Sequence, residues 1–188
     1  PTLPFKETAW KTTWREQTVE AAEALGLTSE GEKLVADTDA FIKENFAKYP
    51  KLANKSAAIC YINAADLSSF SVYRTADPRG AYLTDLGFTF PEKVEALATD
   101  KNAFYVQISS ELAVDALSDT DIIITYGDDK TVAALQKDAI FSKIPAVKED
   151  RVVVLDSNGN LAAACNPSVL SIKAELVNYL EAINAVVK

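Results

Sequence analysis

The stretch DPRGAYLTDLGF, residues 77–88, predicts a short helix that holds an arginine on a fixed turn. Asp77 is suited to cap this helix, Pro78 fits its first turn, and Gly87 can take the left-handed conformation that ends it. Arg79 is therefore expected to project from a rigid turn, away from any sheet the helix packs on. A protein can present a guanidinium group to an anionic ligand in this way.

Segments of strand character alternate with helical segments through most of the chain. Four main strands are predicted at 56–62, 104–108, 121–126 and 151–155, with a short extended piece at 70–73. The segment at 121–126, DIIITY, is apolar enough to be buried on both faces. Strands and helices that alternate with short links predict an α/β fold, a parallel sheet with helices on both faces. In such folds ligands bind at the carboxyl ends of the strands, here the loops 63–79, 109–111, 127–129 and 156–166.

Two helices are predicted ahead of the first strand. One covers residues 14–25 and stops at Gly26, and a longer amphipathic one opens with a capping-box pattern at Ser29 and continues to about residue 48. About 20 helical residues correspond to about 30 Å, enough to brace a whole domain. Trp10 and Trp14 would share a face if the first helix started early, where they would pack or face a part of the molecule outside this sequence. A final helix is expected after a cap at Asn166-Pro167.

Composition limits the classes of function. With 188 residues, of which 48% are hydrophobic, the chain can form one globular domain with a substantial core. Its net charge of −8 argues against a nucleic-acid partner, because a phosphate-binding surface needs an excess of Lys and Arg. Any anion site must therefore be local and built from one or two arginines. The absence of His removes the usual general base and the commonest metal ligand.

The two cysteines, the absence of Met and the lack of long apolar runs say less about function. Cys60 lies in a strand-like segment and Cys165 at a loop–helix junction, which favours two buried, inert thiols; a disulfide stays open if the compartment is oxidising. The sequence lacks Met, so we expect a processed form or a piece of a longer protein. Nothing resembles a signal peptide, and no apolar run approaches the roughly 20 residues of a membrane span.

Segment 77–88 is one of several that together resemble a known family. The others are SSELAVDAL at 109–117, DIIITY at 121–126, IPAVKEDRVVVLD at 144–156 and NPSVLSIKAELVNYLEAI at 166–183. In this order and spacing they resemble the iron-siderophore and cobalamin class of bacterial ABC-transporter solute-binding proteins. That resemblance implies two α/β lobes joined by a rigid helix, with the ligand held in the cleft between them.

The resemblance covers nearly the whole chain but only the second half of the family's architecture. It implies that residues 1–28 are a linker and the last helix of an N-terminal lobe that is missing here. Residues 29–49 would form the interlobe brace helix, and residues 50–188 the C-terminal α/β lobe. A lone lobe would hold half of the pocket, so we expect weak ligand affinity or none from it.

Ligand contacts are predicted for arginines and tyrosines near the expected cleft. Arg79 aligns with an arginine that contacts metal-bound oxygens in siderophore-binding members; the alternative is an arginine paired with Asp77 or Asp85 on a solvated turn. Arg74 is the second choice, since a side chain at a strand end could face either way. Tyr73 and Tyr126 end apolar segments at the cleft rim, where they could pack on an aryl siderophore and donate a hydrogen bond, or serve packing alone.

Polar residues of the first loop and one carboxylate complete the predicted site. Asn63 and Ser69, with Ser68, could add ligand contacts, although loop formation explains them equally well. Glu111 resembles the acidic residue that docks on permease arginines in this family, and it would also be stabilised as a carboxylate in the first turn of a helix.

The ligand class is narrowed by a departure from the family pattern. Siderophore binders often carry a second arginine where this chain has Tyr126-Gly127-Asp128, which weakens the case for a highly charged catecholate. Hydroxamates, mixed siderophores and haem stay open. We expect no resident cofactor, since the transported ligand would be an iron–siderophore complex or haem.

No catalytic or metal site is predicted. The acidic residues Asp66, Asp128, Asp129 and Asp156 lack the alternating ligand pattern of a calcium loop. From the resemblance we predict a protein that is not an enzyme, the substrate-binding component of a bacterial ABC importer for a ferric siderophore. We expect it to be monomeric and extracytoplasmic, either anchored to the membrane as a lipoprotein or periplasmic. Its protein partner would be an ABC permease.

Two other classes have a similar build. A nitrogenase-like or chelatase-like enzyme module would need Cys or His ligands poised together, and this chain has no His and two distant cysteines. A cytosolic flavodoxin-like signalling domain would need an acidic phosphoacceptor pocket, for which Asp66 and Asp156 are poorly placed.

Overall fold

A computed structural model describes residues 2–4, 10–100 and 102–188. Within them the chain forms one five-stranded sheet in the order β3-β2-β1-β4-β5. The strands are β1 Ala57–Tyr61, β2 Ser69–Tyr73, β3 Tyr105–Ser109, β4 Ile122–Gly127 and β5 Val152–Asp156. Each lies within two residues of its predicted position, and the α/β class is confirmed.

The sheet is mixed rather than wholly parallel. β1, β4 and β5 are parallel, whereas β2 runs antiparallel to both β1 and β3. The cause is the link at 62–68: a parallel crossover takes about a dozen residues or more, so a link this short returns the chain antiparallel. Cys60 pairs with Val72, which places Tyr73 one step further from the carboxyl end of β1. The loop at 63–79 therefore does not lie as a whole at that edge, contrary to the prediction.

The long helices agree with the prediction, whereas the short helices and the helix caps differ from it. Their bounds are α1 Trp14–Ala24, α2 Thr28–Phe46, α3 Pro78–Leu86, α4 Glu92–Ala96, α5 Ala113–Ala116, α6 Thr131–Lys137, α7 Pro145–Lys148, α8 Asn160–Ala164 and α9 Val169–Ala185. Short 3₁₀ turns lie at Pro50–Leu52, Ser110–Leu112 and Phe141–Lys143. The short helices α4 and α8 were not predicted. α9 is capped by Ser168, whose hydroxyl accepts from the Ser171 N–H, and not by Asn166-Pro167.

A three-residue turn, Leu25 to Leu27, joins α1 to α2. Gly26 is left-handed at φ 74°, and the Leu27 N–H donates to the Ala22 carbonyl at 2.8 Å, which closes α1 in a Schellman motif. This motif places Leu27 at the start of α2, so the helix begins at Thr28 without a side-chain cap and the predicted capping box at Ser29 is wrong. A capping box does occur at α1, between Thr13 and Glu16.

Hydrophobic side chains on the two faces of the sheet form two separate cores. Alternation along β4 illustrates this, since Ile122 and Ile124 face one core and Ile123 the other. Helices α2, α3 and α9 cover the first core, and α4 to α7 cover the second. The prediction of helices on both faces is therefore confirmed.

The helix predicted as an interlobe brace corresponds to α2, which packs along α1 and α9. Arg15 ties this helix layer to α3: its Nε donates to Asp39 at 3.1 Å and its Nη1 to Asp85 at 2.8 Å. The division into an N-terminal linker, a brace and a C-terminal lobe stays a prediction, and residues 1 and 5–9 of that linker lie outside the described part of the chain.

Both cysteines are free and buried, as the first of the two alternatives predicted. Burial raises the pKa of the Cys60 thiol to about 12 and that of Cys165 to about 11. Among the described residues, no helix has the length and hydrophobicity needed to cross a membrane.

Candidate ligand-binding site

A cavity of about 580 Å³ lies where the start of α3, the β2–β3 pair, the end of β4 and α8 converge. Its wall is rich in aromatic rings. The lining residues are Trp10, Tyr73, Asp77, Pro78, Arg79, Phe104, Tyr105, Tyr126, Ala162, Ala163 and Asn166. Three of the predicted ligand contacts, Arg79, Tyr73 and Tyr126, meet here, and a cavity of this volume is in the range of small-molecule sites.

Asp77 fixes the position of Arg79 from two directions. Its Oδ1 caps α3 by accepting the Arg79 backbone N–H at 2.9 Å, and it also accepts the Arg79 Nε at 2.7 Å. Its Oδ2 accepts Nη2 at 2.8 Å. Arg79 is therefore paired with Asp77, as the second alternative predicted, and it also lines the cavity, so its contact with a ligand stays a prediction.

Tyr73 supports the guanidinium from its flat side. The Arg79 Cζ lies 3.6 Å from the centroid of the Tyr73 ring, a cation–π contact. Tyr73 pairs with Tyr105 across the β2–β3 ladder, and the two rings meet edge to face with centroids 6.5 Å apart. The guanidinium is thus held along one edge by a carboxylate and on one face by a ring.

The protonation states at the site are fixed over a wide pH range. Burial by itself would lower the pKa of Arg79, but the hydrogen-bonded ion pair with Asp77 outweighs it and the net pKa is raised. Burial raises the pKa of Tyr126 to about 12, against a smaller opposing effect of Arg79. The cavity therefore offers a permanent cation and a neutral phenol.

Gly80 lets α3 approach the end of β2. A Cβ atom at this position would lie 2.2 Å from the carbonyl oxygen of Arg74. Only glycine permits this contact, which sets where the first turn of α3, and hence Arg79, sits above the strand.

Arg74 lies outside the cavity lining, in the protein interior. Its side chain is 2% exposed and pairs with Glu95, while its Nη1 donates to the carbonyl groups of Asp100 and Ala103. With its donors engaged in this way it is not placed to contact a ligand, so we leave it out of the proposed contacts.

Asn63 and Ser69 are also separate from this cavity. Asn63 lines a second cavity of about 470 Å³ at the carboxyl edge of the sheet, with Asp128, Asp156 and Tyr126 on its wall. Tyr126 borders both cavities. Ser69 starts β2, where its Oγ accepts the Gln107 Nε2 at 3.4 Å, and as far as the described residues define them it lines neither cavity.

Glu111 lies in the 3₁₀ turn that follows β3 and is exposed. Within the described part of the chain its carboxylate has no ion pair and no side-chain hydrogen bond. It is therefore accessible to a cation of another molecule.

Several residues of the cavity lining were not predicted from the sequence as part of the ligand site. Trp10 lies before α1 with φ 73° and is 64% exposed, whereas Trp14 is buried in the core, so the two do not share a helical face. Phe104 lies just before β3 and Tyr105 is its first residue, and an aromatic pair at a strand start is a sequence signal for such a wall. Ala162 and Ala163 lie on the unpredicted helix α8.

Comparison with known proteins assigns the family. A family model described as periplasmic binding protein matches residues 1–158. The chain belongs to this family. No curated protein gives a significant match.

Solved structures of periplasmic binding proteins agree with this assignment. One is PiaA of Streptococcus pneumoniae TIGR4 in complex with ferrichrome, with 41% identity and a TM-score of 0.89 over 97% of this chain and 61% of that chain. A second is the iron-uptake ABC transporter substrate-binding protein PiaA of the same organism, with 41% identity, a TM-score of 0.87 and coverage of 97% and 62%. The chain thus spans less than two thirds of the length of these two proteins.

A more distant structure shares the fold alone. FhuD2 of Staphylococcus aureus with bound ferrioxamine B is 13% identical, with a TM-score of 0.71 over 95% of this chain and 67% of that chain. The resemblance derived from the sequence motifs is confirmed by the family model and by these structures.

Proposed function

We propose that this protein is the substrate-binding component of a bacterial ABC importer for a ferric siderophore, and that the 580 Å³ cavity is this chain's share of the ligand site. The observation that carries the proposal is Arg79, held by Asp77 and Tyr73 in a cavity with aromatic walls. The 41% identity to PiaA, whose structure contains ferrichrome, supports an iron chelate as ligand. It also favours this function over the enzyme module and the signalling domain.

The charge of the site favours a chelate with little net charge. Asp77 offsets the charge of Arg79 and accepts its Nε and Nη2, which leaves the Nη1 amino group without a bond to Asp77 and open to a ligand. Three hydroxamates balance the charge of one ferric ion, whereas three catecholates leave an excess of negative charge. A polar but nearly neutral site therefore suits a ferric hydroxamate better than a ferric catecholate or the two carboxylates of haem.

The remaining parts of the proposal concern the whole transporter. A second lobe would close over the cavity from the open side and complete the ligand site. The exposed carboxylate of Glu111 would dock on a cation of the ABC permease. The family supports an extracytoplasmic location; anchoring to the membrane and a monomeric state are parts of the same proposal.

Isothermal titration of the full-length protein with ferrichrome, a ferric catecholate and haem tests this function. We expect ferrichrome to bind most tightly, and Arg79→Ala to weaken it by at least about tenfold, equivalent to about 1.4 kcal/mol. Arg151→Ala is the matched control, because Arg151 donates to the Asp121 carbonyl outside the cavity lining. Absence of binding to all three chelates, or wild-type affinity in the Arg79 variant, would contradict the proposal.

A further inference from the structure

We infer that Arg74, although it lies outside the lining of the two cavities described above, is a positioning residue for the ligand site: it holds the turn formed by residues 100 and 102–104, which leads to Phe104 and Tyr105 in the cavity wall. The expected effect of Arg74 on ligand binding rests on the proposed function. The positioning itself can be tested without any ligand.

Arg74 bonds this turn at several points, through its buried guanidinium group and through its backbone N–H. The Arg74 Nη1 donates to the carbonyl oxygens of Asp100 at 2.8 Å and of Ala103 at 3.0 Å. The Arg74 backbone N–H donates to the Phe104 carbonyl at 2.8 Å. Both ends of the turn are therefore bonded to one residue whose side chain is 2% exposed.

The same turn also contacts the chain beside Trp10, another residue of the cavity lining. The Asn102 N–H donates to the Asp100 Oδ1 at 2.8 Å, which orders the turn internally. The Asn102 Oδ1 in turn accepts the Lys11 Nζ at 3.0 Å, and Lys11 is the neighbour of the cavity residue Trp10. The turn is thus bonded next to three aromatic residues of the cavity lining, Phe104, Tyr105 and Trp10.

The chemistry of the contacts requires arginine. A planar guanidinium donates in several fixed directions at once, so it can serve two carbonyl groups and the Glu95 carboxylate together. A lysine ammonium keeps the charge, but it lacks this fork and cannot span the same acceptors. Glu95 itself is 45% exposed, so water can solvate its carboxylate if the ion pair is lost.

Three variants separate positioning of the turn from loss of an ion pair. Arg74→Gln removes the fork and the charge, Arg74→Lys removes the fork and keeps the charge, and Glu95→Gln removes the ion pair and keeps the bonds to the carbonyl groups. Hydrogen exchange of the amides at 102–105 reports on the turn, with the amides of β4 as internal reference. Titration with ferrichrome reports on the site.

Both Arg74 variants should accelerate exchange at 102–105 by about tenfold or more, with β4 unchanged, and weaken ferrichrome binding by a similar factor. Glu95→Gln should stay within about threefold of wild type in both measurements. If Arg74→Gln does not fold, Arg74→Lys gives the same comparison.

Two results would overturn the inference. One is exchange at 102–105 that matches wild type in a folded Arg74 variant, and the other is an increase that is equal in β4, which would mean general destabilisation. If the wild-type protein fails to bind ferrichrome, the proposed function is at fault, and the exchange data still decide whether Arg74 positions the turn.

Discussion

One oxygen atom of Asp77 bonds Arg79 twice, at the backbone N–H (2.9 Å) and at the side-chain Nε (2.7 Å). The first bond starts helix α3 and the second aims the guanidinium. Helix capping and ligand-site geometry therefore depend on the same carboxylate, and a change at Asp77 should be visible in both stability and binding.

Asp77→Ala should lower the free energy of unfolding by about 1–2 kcal/mol, because it removes the helix cap. Asp77→Asn keeps an acceptor oxygen and should cost less. Urea denaturation measures both, with Asp129→Ala, a change at an exposed residue, as control. Equal stability of the Ala variant and wild type would show that the cap contributes nothing.

Asp77→Asn should also change the preference among ligands. Without the carboxylate, the charge of Arg79 is no longer offset, so affinity for an anionic ferric catecholate should rise relative to ferrichrome by about tenfold, a difference of about 1.4 kcal/mol. Competition titrations with the two chelates measure this ratio at two salt concentrations. A ratio identical to wild type would mean that Asp77 does not set the charge of the site.

At Tyr73 we expect the ring, and not the hydroxyl, to matter for ligand binding. Tyr73→Phe keeps the aromatic face under Arg79 and should bind ferrichrome as wild type does. Tyr73→Leu removes a cation–π contact of about 0.5–2 kcal/mol and should bind roughly 2- to 30-fold more weakly. Titration calorimetry compares the two variants. The reverse order of affinities would assign the role to the hydroxyl.

Stability should fall at alkaline pH. Burial raises the pKa of Cys60 to about 12 and of Cys165 to about 11, both above the ordinary thiol value of 9.0. The stabilisation is fully present below pH 9, where thiols are protonated in folded and unfolded chains alike, and is lost as pH rises through these folded values. Each unit of difference corresponds to about 1.4 kcal/mol per group.

Urea denaturation between pH 8 and pH 11 under reducing conditions measures this loss. Cys60→Ala should flatten the pH dependence, since it removes the group with the larger shift. An unchanged slope in that variant would assign the alkaline loss to other groups, such as Tyr126.

Glu111→Lys should abolish iron–siderophore uptake by cells while leaving ferrichrome affinity unchanged, because Glu111 lies outside the cavity lining. Glu181→Lys, at an exposed position of α9, is the matched control and should leave uptake intact. Normal uptake with the Glu111 variant would exclude this residue from permease docking.

The strands and long helices were predictable because each leaves a local pattern. The apolar segment DIIITY predicts a doubly buried strand, and the cap, proline and glycine around Arg79 define α3 almost to the residue. What the sequence did not reveal depends on contacts between distant residues. The inward position of Arg74 follows from carbonyl groups about 30 positions away, and Trp10 joins the site through the chain path before α1.

Helix α8 and the direction of β2 show a second limit of prediction from local sequence patterns. The segment 156–166 opens with the turn-forming residues of a loop, and the run of helix formers that follows, residues 161–164, is too short to predict a helix, yet it forms most of α8 and supplies part of the cavity wall. β2 looks like any other strand, and the shortness of the link before it, rather than its own sequence, sets its antiparallel direction.

The close approach at Gly80 makes this position sensitive to mutation for a reason that no ligand contact would reveal. Even alanine would press against the Arg74 carbonyl and lift the first turn of α3, and with it both the arginine and its carboxylate partner. A saturation screen for iron uptake should therefore score substitutions at Gly80 as severely as those at Arg79. From such a screen alone, Gly80 would be mistaken for a residue that contacts the ligand, although its role is to let α3 approach β2.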